Sequence, residues 1–315
     1  PLIIEPHPTP EAWSATHRVV VEDFAAQQAA ILAVLRLPPP PKSTAAAATA
    51  AHVSISALPT GAGRLIGRDI ELSRLVTAWA STAPGAPPAK KTNVVVLHAI
   101  GGAGKTALMR RFVDDLADQG FPGAEKVFGW SAYSQGSGED RNVDADKFLS
   151  DALIHFGHAE PTNLKDPLAK GRRLAGLVAA GRNLLIIDGL EPLQQPPGVG
   201  RGFLKDKGVA ALIKDLATAS RALLVITSRQ ELPELEAIKP PRVDNRALEA
   251  LDEKAGAELL RELGVWGTQS ALEAASVAVE GHALSLSVLG TFLDTVHAGD
   301  VRKRDHFDFA AAIVG

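Results

Sequence analysis

Short apolar runs alternate with segments of helical periodicity through the middle of the chain. The largely apolar runs lie at Val94–Leu97, Lys126–Ser134, Asn183–Asp188 and Ala222–Thr227. Between them, apolar residues recur at helical spacing, for example over residues 145–156 and 168–180. Short strands that are apolar throughout are buried on both faces, which is typical of a parallel sheet covered by helices. The pattern therefore predicts an α/β fold with a parallel sheet flanked by helices.

The pattern changes on either side of this α/β segment and indicates five parts. Residues 1–37 end in a helical pattern, so we expect them to be the tail of a preceding, effector-like domain. Four prolines and an Ala-, Ser- and Thr-rich stretch predict a linker over residues 38–63. Residues 64–250 form the α/β core, and residues 251–300, with apolar residues four apart, form a small all-helical subdomain. Residues 301–315 would begin a following domain.

Composition narrows the class of protein. The 315 residues are 46% hydrophobic and 22% charged, which describes a soluble globular chain with an ample core. The net charge of −3 argues against nucleic acid or a membrane surface as a partner of this fragment. No apolar run approaches the roughly 20 residues that span a bilayer. The absence of cysteine fits a reducing compartment, and we expect a cytoplasmic protein. The first residue is Pro1, so we expect a piece of a longer chain.

A glycine-rich loop follows the first apolar run, in the sequence NVVVLHAIGGAGKTALMRRF over residues 93–112. It matches the phosphate-loop pattern G-x-x-x-x-G-K-[ST] except that Ala99 replaces the first glycine. Gly101, Gly102 and Gly104 allow the backbone to wrap around an anion, because glycine readily adopts a positive φ. An alanine is tolerated at the first position if its backbone stays extended.

The residues that end the loop supply charge and a metal ligand. Lys105 would contact the β- and γ-phosphates, and the hydroxyl of Thr106 would bind Mg²⁺. The N-terminus of the helix that begins here adds a partial positive charge. We therefore predict a site for ATP or ADP with Mg²⁺. The predicted nucleotide contacts in this segment are Gly101, Gly102, Ala103, Gly104, Lys105, Thr106 and Ala107.

Two later strands end in polar residues that suit such a site. The run NLLIID delivers Asp188 to the end of a strand, where it would hold Mg²⁺ through water. Glu191 could orient or deprotonate the attacking water. Arg229 follows the run ALLVIT and could reach the γ-phosphate. The alternatives are an ordinary Asp-Gly turn and a solvated arginine. We assign the catalytic roles to Lys105, Asp188, Glu191 and Arg229.

Taken together, these motifs resemble the STAND class of P-loop NTPases, which includes NB-ARC and NACHT modules. The resemblance covers about residues 64–304 and is carried by LIGRDIEL, AIGGAGKT, IIDGLEPLQ, TSR and EGHALSLSVLGTFL. It implies that Ile66, Gly67 and Arg68 contact the base side of the nucleotide. The last motif is similar to the Gly-Leu-Pro-Leu-Ala helix of the lid, with His-Ala in place of Leu-Pro. By that match, Gly281 and His282 are additional nucleotide contacts.

The resemblance implies a signalling switch of the kind used in defence, cell death or transcription control. ADP would hold the core and the lid closed, and exchange for ATP would release the lid and allow self-association. Slow ATP hydrolysis would reset the switch. An effector would precede the NTPase, a winged-helix domain would follow it, and a trigger ligand or protein that the sequence does not identify would start the cycle.

Three other functions are compatible with a phosphate loop. A scaffold that keeps its nucleotide permanently would often lack a carboxylate such as Glu191. An AAA-type ATPase, a transcription regulator or a DNA-replication loader would turn over strongly, and the DNA-bound forms would need a basic stripe that is not evident. A small-molecule kinase would need a set of acceptor-binding arginines that the helical subdomain does not offer.

Overall fold

The computed structural model describes residues 51–60, 64–134, 145–196, 198, 200–218, 220–238 and 240–307. These residues belong to a compact unit that spans Thr49–Gly315. The predicted preceding domain over residues 1–37 lies outside the described residues, as do most of the predicted linker and the last eight positions of the chain. The predicted domain boundaries therefore stay predictions.

A six-stranded parallel sheet forms the centre of this unit. Its strands in chain order are β1 (His52–Ser54), β2 (Val94–His98), β3 (Lys126–Ser131), β4 (Leu184–Asp188), β5 (Leu223–Ser228) and β6 (Val243–Ala247). Their order across the sheet is β1-β3-β4-β5-β2-β6, and every neighbouring pair is parallel. The predicted α/β fold with a parallel sheet is confirmed.

Helices cover both faces of the sheet because its strands are apolar on both faces. The helices of this layer are α1 (Asp69–Ser81), α2 (Lys105–Asp118), α3 (Ala145–Phe156), α4 (Pro167–Ala180) and α5 (Lys207–Thr218). Alternate residues of β2 belong to different cores. Val94 and Val96 lie in a core with α3, α4 and α5, whereas Val95 and Leu97 lie in a core with α1 and α2.

A separate helical subdomain follows the sheet. It contains α6 (Glu253–Glu262), α7 (Gln269–Ala278) and α8 (Ala283–His297), which pack around a third core. Ile66 is buried in this core, so the segment before α1 packs against the helical subdomain. Gly67 has a φ of +63° and leaves no room for a side chain, because a Cβ there would overlap Ala255. We call this subdomain the lid.

The strand register brings four strand ends to one edge of the sheet. In β2 and β5, His98 is paired with Ser228. In β3 and β4, Ser131 is paired with Asp188. The polar residues that follow these strands therefore lie side by side, at the edge where open parallel sheets bind ligands.

The two outermost strands of the sheet, β1 and β6, are not predicted from the sequence. β1 lies within the predicted linker, and Leu58, just after it, is buried in the core and would lie 2.6 Å from a Cβ at Gly129. A three-residue strand is too short to show an alternating pattern. β6 was not predicted because its sequence, VDNRA, is mostly polar, which suits the edge of a sheet. Within the described ranges, no helix is both long and apolar enough to cross a bilayer.

Candidate functional site

The glycine-rich loop connects the end of β2 to the start of α2, at the edge of the sheet where the carboxyl ends of the strands meet. Gly102 and Gly104 have φ values of +77° and +95°, which side chains rarely allow. Gly104 is the N-cap residue of α2, and no side chain caps the first amides of that helix. Those amides, with the partial positive charge of the helix N-terminus, are available to a bound anion.

A cavity of about 720 Å³ lies against this loop, between the sheet and the lid. Most of the predicted nucleotide contacts line it, namely Ile66, Arg68, Gly102, Ala103, Gly104, Lys105, Thr106 and Ala107. Apolar side chains complete one side of the cavity, including Leu251, Leu259 and Leu263 of the lid segment. Gly67, Gly101, Gly281 and His282 do not line it. The cavity thus combines a polar loop with an apolar wall, as a nucleotide requires.

Lys105 lies beneath the loop with only 8% of its surface exposed. Its Nζ donates hydrogen bonds to the main-chain oxygens of Ala99 at 2.8 Å and Ile100 at 2.9 Å. Burial lowers the pKa of Lys105, Glu191 and Asp188 raise it, and the charge of Arg229 lowers it further. The amine therefore lies among the other predicted catalytic groups and is held by carbonyls of the loop.

Asp188 ends β4 with 1% of its surface exposed and accepts three hydroxyl hydrogen bonds. Its Oδ1 accepts from Oγ1 of Thr106 at 2.9 Å and from Oγ1 of Thr227 at 2.7 Å. Its Oδ2 accepts from Oγ of Ser131 at 3.3 Å. Thr227 in turn accepts a hydrogen bond of 2.8 Å from the amide of Gly189. Three elements of the fold therefore fix the position of this carboxylate.

This arrangement fits a magnesium site. Mg²⁺ prefers carboxylate and hydroxyl oxygens, and Asp188 and Thr106 offer both within hydrogen-bonding distance of each other. The hydrogen-bond partners of the Asp188 oxygens are hydroxyls, which are neutral, and a buried negative charge favours a nearby cation. Thr106 and Asp188 are the residues that would hold the ion.

Glu191 and Arg229 lie on the same edge. Glu191 begins a short 3₁₀ turn after β4, and its Oε2 accepts a hydrogen bond of 2.9 Å from the hydroxyl of Tyr133. Arg229 follows β5 and is exposed, with its guanidinium 3.6 Å from the position of a Cβ at Gly101. The four predicted catalytic residues therefore come together around the loop, and their roles stay predictions. No local pattern in the sequence indicates a role for Tyr133, because its partner lies 58 residues away.

Arg68, just before α1, supports the phosphate loop from one side of the cavity. It has 4% of its surface exposed, and its Nη2 donates to the main-chain oxygen of Ala103 at 3.1 Å. Its Nη1 lies 3.4 Å from the carboxylate of Glu71. Burial lowers the pKa of Arg68, and Glu71 partly offsets this effect. Arg68 thus binds the phosphate loop itself as well as lining the cavity.

The lid contacts the loop through hydrogen bonds to main-chain oxygens of the loop. The amide of Leu284, in the first turn of α8, donates to the main-chain oxygen of Gly102 at 3.1 Å. Nε2 of His282 lies 2.8 Å from the main-chain oxygen of Gly101, and Nδ1 lies 2.8 Å from Oγ of Ser285. A carbonyl only accepts, so Nε2 donates. His282, predicted as a nucleotide contact, is placed against the loop backbone.

Gly281 holds the turn before α8. Its φ is +64°, and its main-chain oxygen accepts a hydrogen bond of 3.0 Å from the amide of Leu251. A Cβ at Gly281 would overlap the backbone of Leu251. The glycine is therefore required by packing inside the lid, and its predicted contact with nucleotide stays a prediction.

Residues 93–264 match the NACHT domain family. The matched region is more than half of the 315-residue chain. The chain belongs to the NACHT family. It is therefore a P-loop NTPase of the STAND class, which confirms the family inferred from the sequence motifs. The NACHT match includes the phosphate loop and residues 188, 191 and 229, and it ends before α7 and α8 of the lid.

Several solved structures are similar to this NACHT chain. A STAND protein with a tetratricopeptide repeat sensor from Pyrococcus horikoshii matches with 19% identity and a TM-score of 0.47, over 74% of this chain and 30% of that protein. A Walker-type ATPase from Pyrococcus abyssi matches with 14% identity and a TM-score of 0.48, over 79% and 73% of the two chains. The present chain thus spans less than a third of the STAND protein. No curated protein matches the sequence.

Proposed function

We propose that this NACHT chain is a nucleotide-dependent signalling switch. It binds ATP and ADP with Mg²⁺, hydrolyses ATP slowly, and uses the bound nucleotide to control opening of the lid. Opening permits self-association and activates an attached effector. The observation that carries the proposal is the direct hydrogen bonding between the lid and the main-chain oxygens of Gly101 and Gly102.

These hydrogen bonds offer a physical route from nucleotide to lid. The amides of the loop are the groups that would bind phosphate, and the oxygens of Gly101 and Gly102 are bonded by the lid. Each peptide group is planar, so a rotation that moves an amide also moves the adjoining carbonyl. A change in phosphate contacts would therefore alter the acceptors on which the lid rests.

ATP and ADP would differ in their contacts with two basic residues. Lys105 is bonded to the oxygens of Ala99 and Ile100, and a γ-phosphate would compete with them for its amine. Arg229 lies beside Gly101, so a γ-phosphate that attracts its guanidinium would act next to a lid contact. A ligand shifts a conformational equilibrium only by its differential affinity for the two states. These contacts supply such a difference.

Hydrolysis would depend on the two carboxylates. Asp188 and Thr106 would hold Mg²⁺, which when bound neutralises the charge that develops on the phosphates. Glu191 would accept a proton from water through its Oε1, since Oε2 already receives the Tyr133 hydroxyl. The presence of Glu191 at this edge favours a hydrolysing switch over the alternative of a permanent nucleotide scaffold.

The remaining parts of the proposal follow from the family. Self-association, an attached effector, a role in defence and a cytoplasmic location are properties that the STAND resemblance implies. A ligand or a protein would trigger the switch. An AAA-type ATPase or transcription regulator remains the alternative function, and rapid turnover stimulated by DNA would favour it.

The proposal is tested by phosphate release from the purified chain with ATP and Mg²⁺. We expect slow turnover in the wild type and a decrease of about 10²- to 10⁴-fold in Glu191→Gln, because a general base contributes that factor. Binding of ATP should be retained in this variant. Glu160→Gln, which changes an exposed glutamate outside the site, is the matched control. Equal turnover in the Glu191 variant and the wild type would refute the assignment.

A further inference from the structure

The end of β3 supplies a hydroxyl group to each carboxylate of the site. Ser131, the last residue of β3, donates to Asp188. Tyr133, two residues later, donates to Glu191 at 2.9 Å. Both hydroxyls come from one short segment, residues 131–133. A hydrogen bond of 3.3 Å from the main-chain amide of Tyr133 to Oγ of Ser131 also ties the two residues together. The segment therefore fixes the relative positions of the two acids.

The Tyr133 ring is held against the turn that joins these acids. Gly189, between Asp188 and Glu191, has a φ of +73°. A Cβ at Gly189 would overlap the Tyr133 ring, so the ring lies directly on the backbone of the turn. The absence of a side chain at Gly189 lets the tyrosine approach closely enough to reach Glu191.

Tyr133 is a hydrogen-bond donor at neutral pH. About half of the Tyr133 surface is exposed. Partial burial raises its pKa to about 12, and the neighbouring charge of Glu191 adds to this effect. Its hydroxyl proton is therefore retained and directed to Oε2 of Glu191. Within the part of the chain that the structure describes, Oε1 of Glu191 has no hydrogen-bond partner, which leaves this oxygen for water.

We propose that Tyr133 is a positioning residue that orients Glu191 toward the attacking water. This inference rests on the proposed ATP hydrolysis. A hydrogen bond from one side fixes the plane of the carboxylate and leaves the second oxygen to accept from water. The charge of Glu191 also acts on Lys105 of the phosphate loop, whose pKa it raises. Without the hydroxyl, the partly exposed glutamate would rotate freely and spend less time in the productive orientation.

The first test is the variant Tyr133→Phe, which keeps the ring over Gly189 and removes only the hydroxyl. We expect kcat for ATP hydrolysis to fall by about 10-fold, as the loss of a hydrogen bond to a charged group predicts. The KM for ATP should stay within about twofold, because Tyr133 does not line the nucleotide cavity. Adding Tyr133→Phe to Glu191→Gln should cause no further decrease, because the two residues act through one contact.

A second test reports on the contact without turnover. Tyr133 is the single tyrosine of the chain, so ultraviolet difference absorbance follows its ionisation alone. In the wild type, little tyrosinate should form at about pH 10.5, where an unperturbed tyrosine would be largely ionised. Glu191→Gln should shift the ionisation to lower pH, because it removes one cause of the raised pKa. Circular dichroism at the same pH shows that the chain remains folded.

The outcomes separate this inference from the proposed function. If the wild type releases phosphate and Tyr133→Phe has the same kcat, the positioning role is refuted and the switch proposal stands. If the double variant is slower than Glu191→Gln alone, Tyr133 acts through another group and the inference is wrong. If the wild type releases no phosphate, the hydrolytic part of the proposed function fails and the positioning role fails with it.

Discussion

The contact between the lid and the phosphate loop can be disturbed by one methyl group. Gly102 has a φ of +77°, and a Cβ there would lie 2.7 Å from Cβ of Leu284 and 2.9 Å from Cε1 of His282. Real Cβ contacts are essentially never closer than 3.0 Å. In Gly102→Ala, either the loop or the start of α8 must therefore move, and the lid should separate from the loop.

Two separate effects determine how much Gly102→Ala should lower the free energy of unfolding. A left-handed backbone costs alanine about 1–2 kcal/mol relative to glycine. Overpacking against the lid adds about 1–3 kcal/mol. Gly120→Ala is the matched control, because Gly120 has a φ of +69° and no atom within 4 Å of the added Cβ. The control should show the backbone cost alone, and the difference between the two variants measures the overlap with the lid.

Hydrogen exchange and chemical denaturation measure these effects. The amide of Leu284, which bonds the main-chain oxygen of Gly102, should exchange about 5- to 150-fold faster in Gly102→Ala, corresponding to about 1–3 kcal/mol. The same amide should be unaffected in Gly120→Ala. If the Leu284 amide exchanges at the same rate in both variants, and the variants have equal free energies of unfolding, the loop and the lid are not in tight contact.

Two further predictions concern the metal site and Leu58, which follows the outermost strand β1. Asp188→Asn removes a buried negative charge beside Thr106, so the Mg²⁺ concentration needed for half-maximal ATP binding should rise by about 10-fold. A magnesium titration at fixed ATP measures this concentration, and an unchanged value would mean that the assignment is wrong. Leu58→Ala removes a side chain that is 4% exposed, and it should lower the free energy of unfolding by about 2–5 kcal/mol in urea titration, whereas a change below about 0.5 kcal/mol would mean that Leu58 lies in a linker.

The parts of the site that the sequence predicts are those encoded locally. The phosphate loop needs glycines at fixed spacing between an apolar strand and a helix, and all of these signals fall within residues 93–112. Asp188 was predicted because an acid at the end of an apolar strand is also a local pattern. The central strands are predicted from continuous apolar runs, and α6 and α8 of the lid from apolar residues four apart, which are also local patterns.

The remaining parts depend on contacts between distant segments. The Tyr133–Glu191 hydrogen bond joins residues 58 positions apart, and the His282–Gly101 contact joins residues 181 positions apart. No spacing rule indicates such pairs in a single sequence. β1 has no local signal because three residues carry no period, and a single buried residue such as Leu58 carries none either. At Gly67 and Gly281, packing within or against the lid requires a glycine, and their predicted contacts with nucleotide stay predictions.

The most direct test of the central claim is isothermal titration of the purified chain with ADP and with ATP in magnesium buffer. We expect both nucleotides to bind, and Lys105→Ala to weaken ATP binding by about 10- to 150-fold through the loss of a charged hydrogen bond. Lys207→Ala, at an exposed lysine that begins α5, should bind as the wild type does. Absence of binding in the folded wild type, or equal ATP affinity in the Lys105 variant, would contradict the assignment of this cavity to a nucleotide.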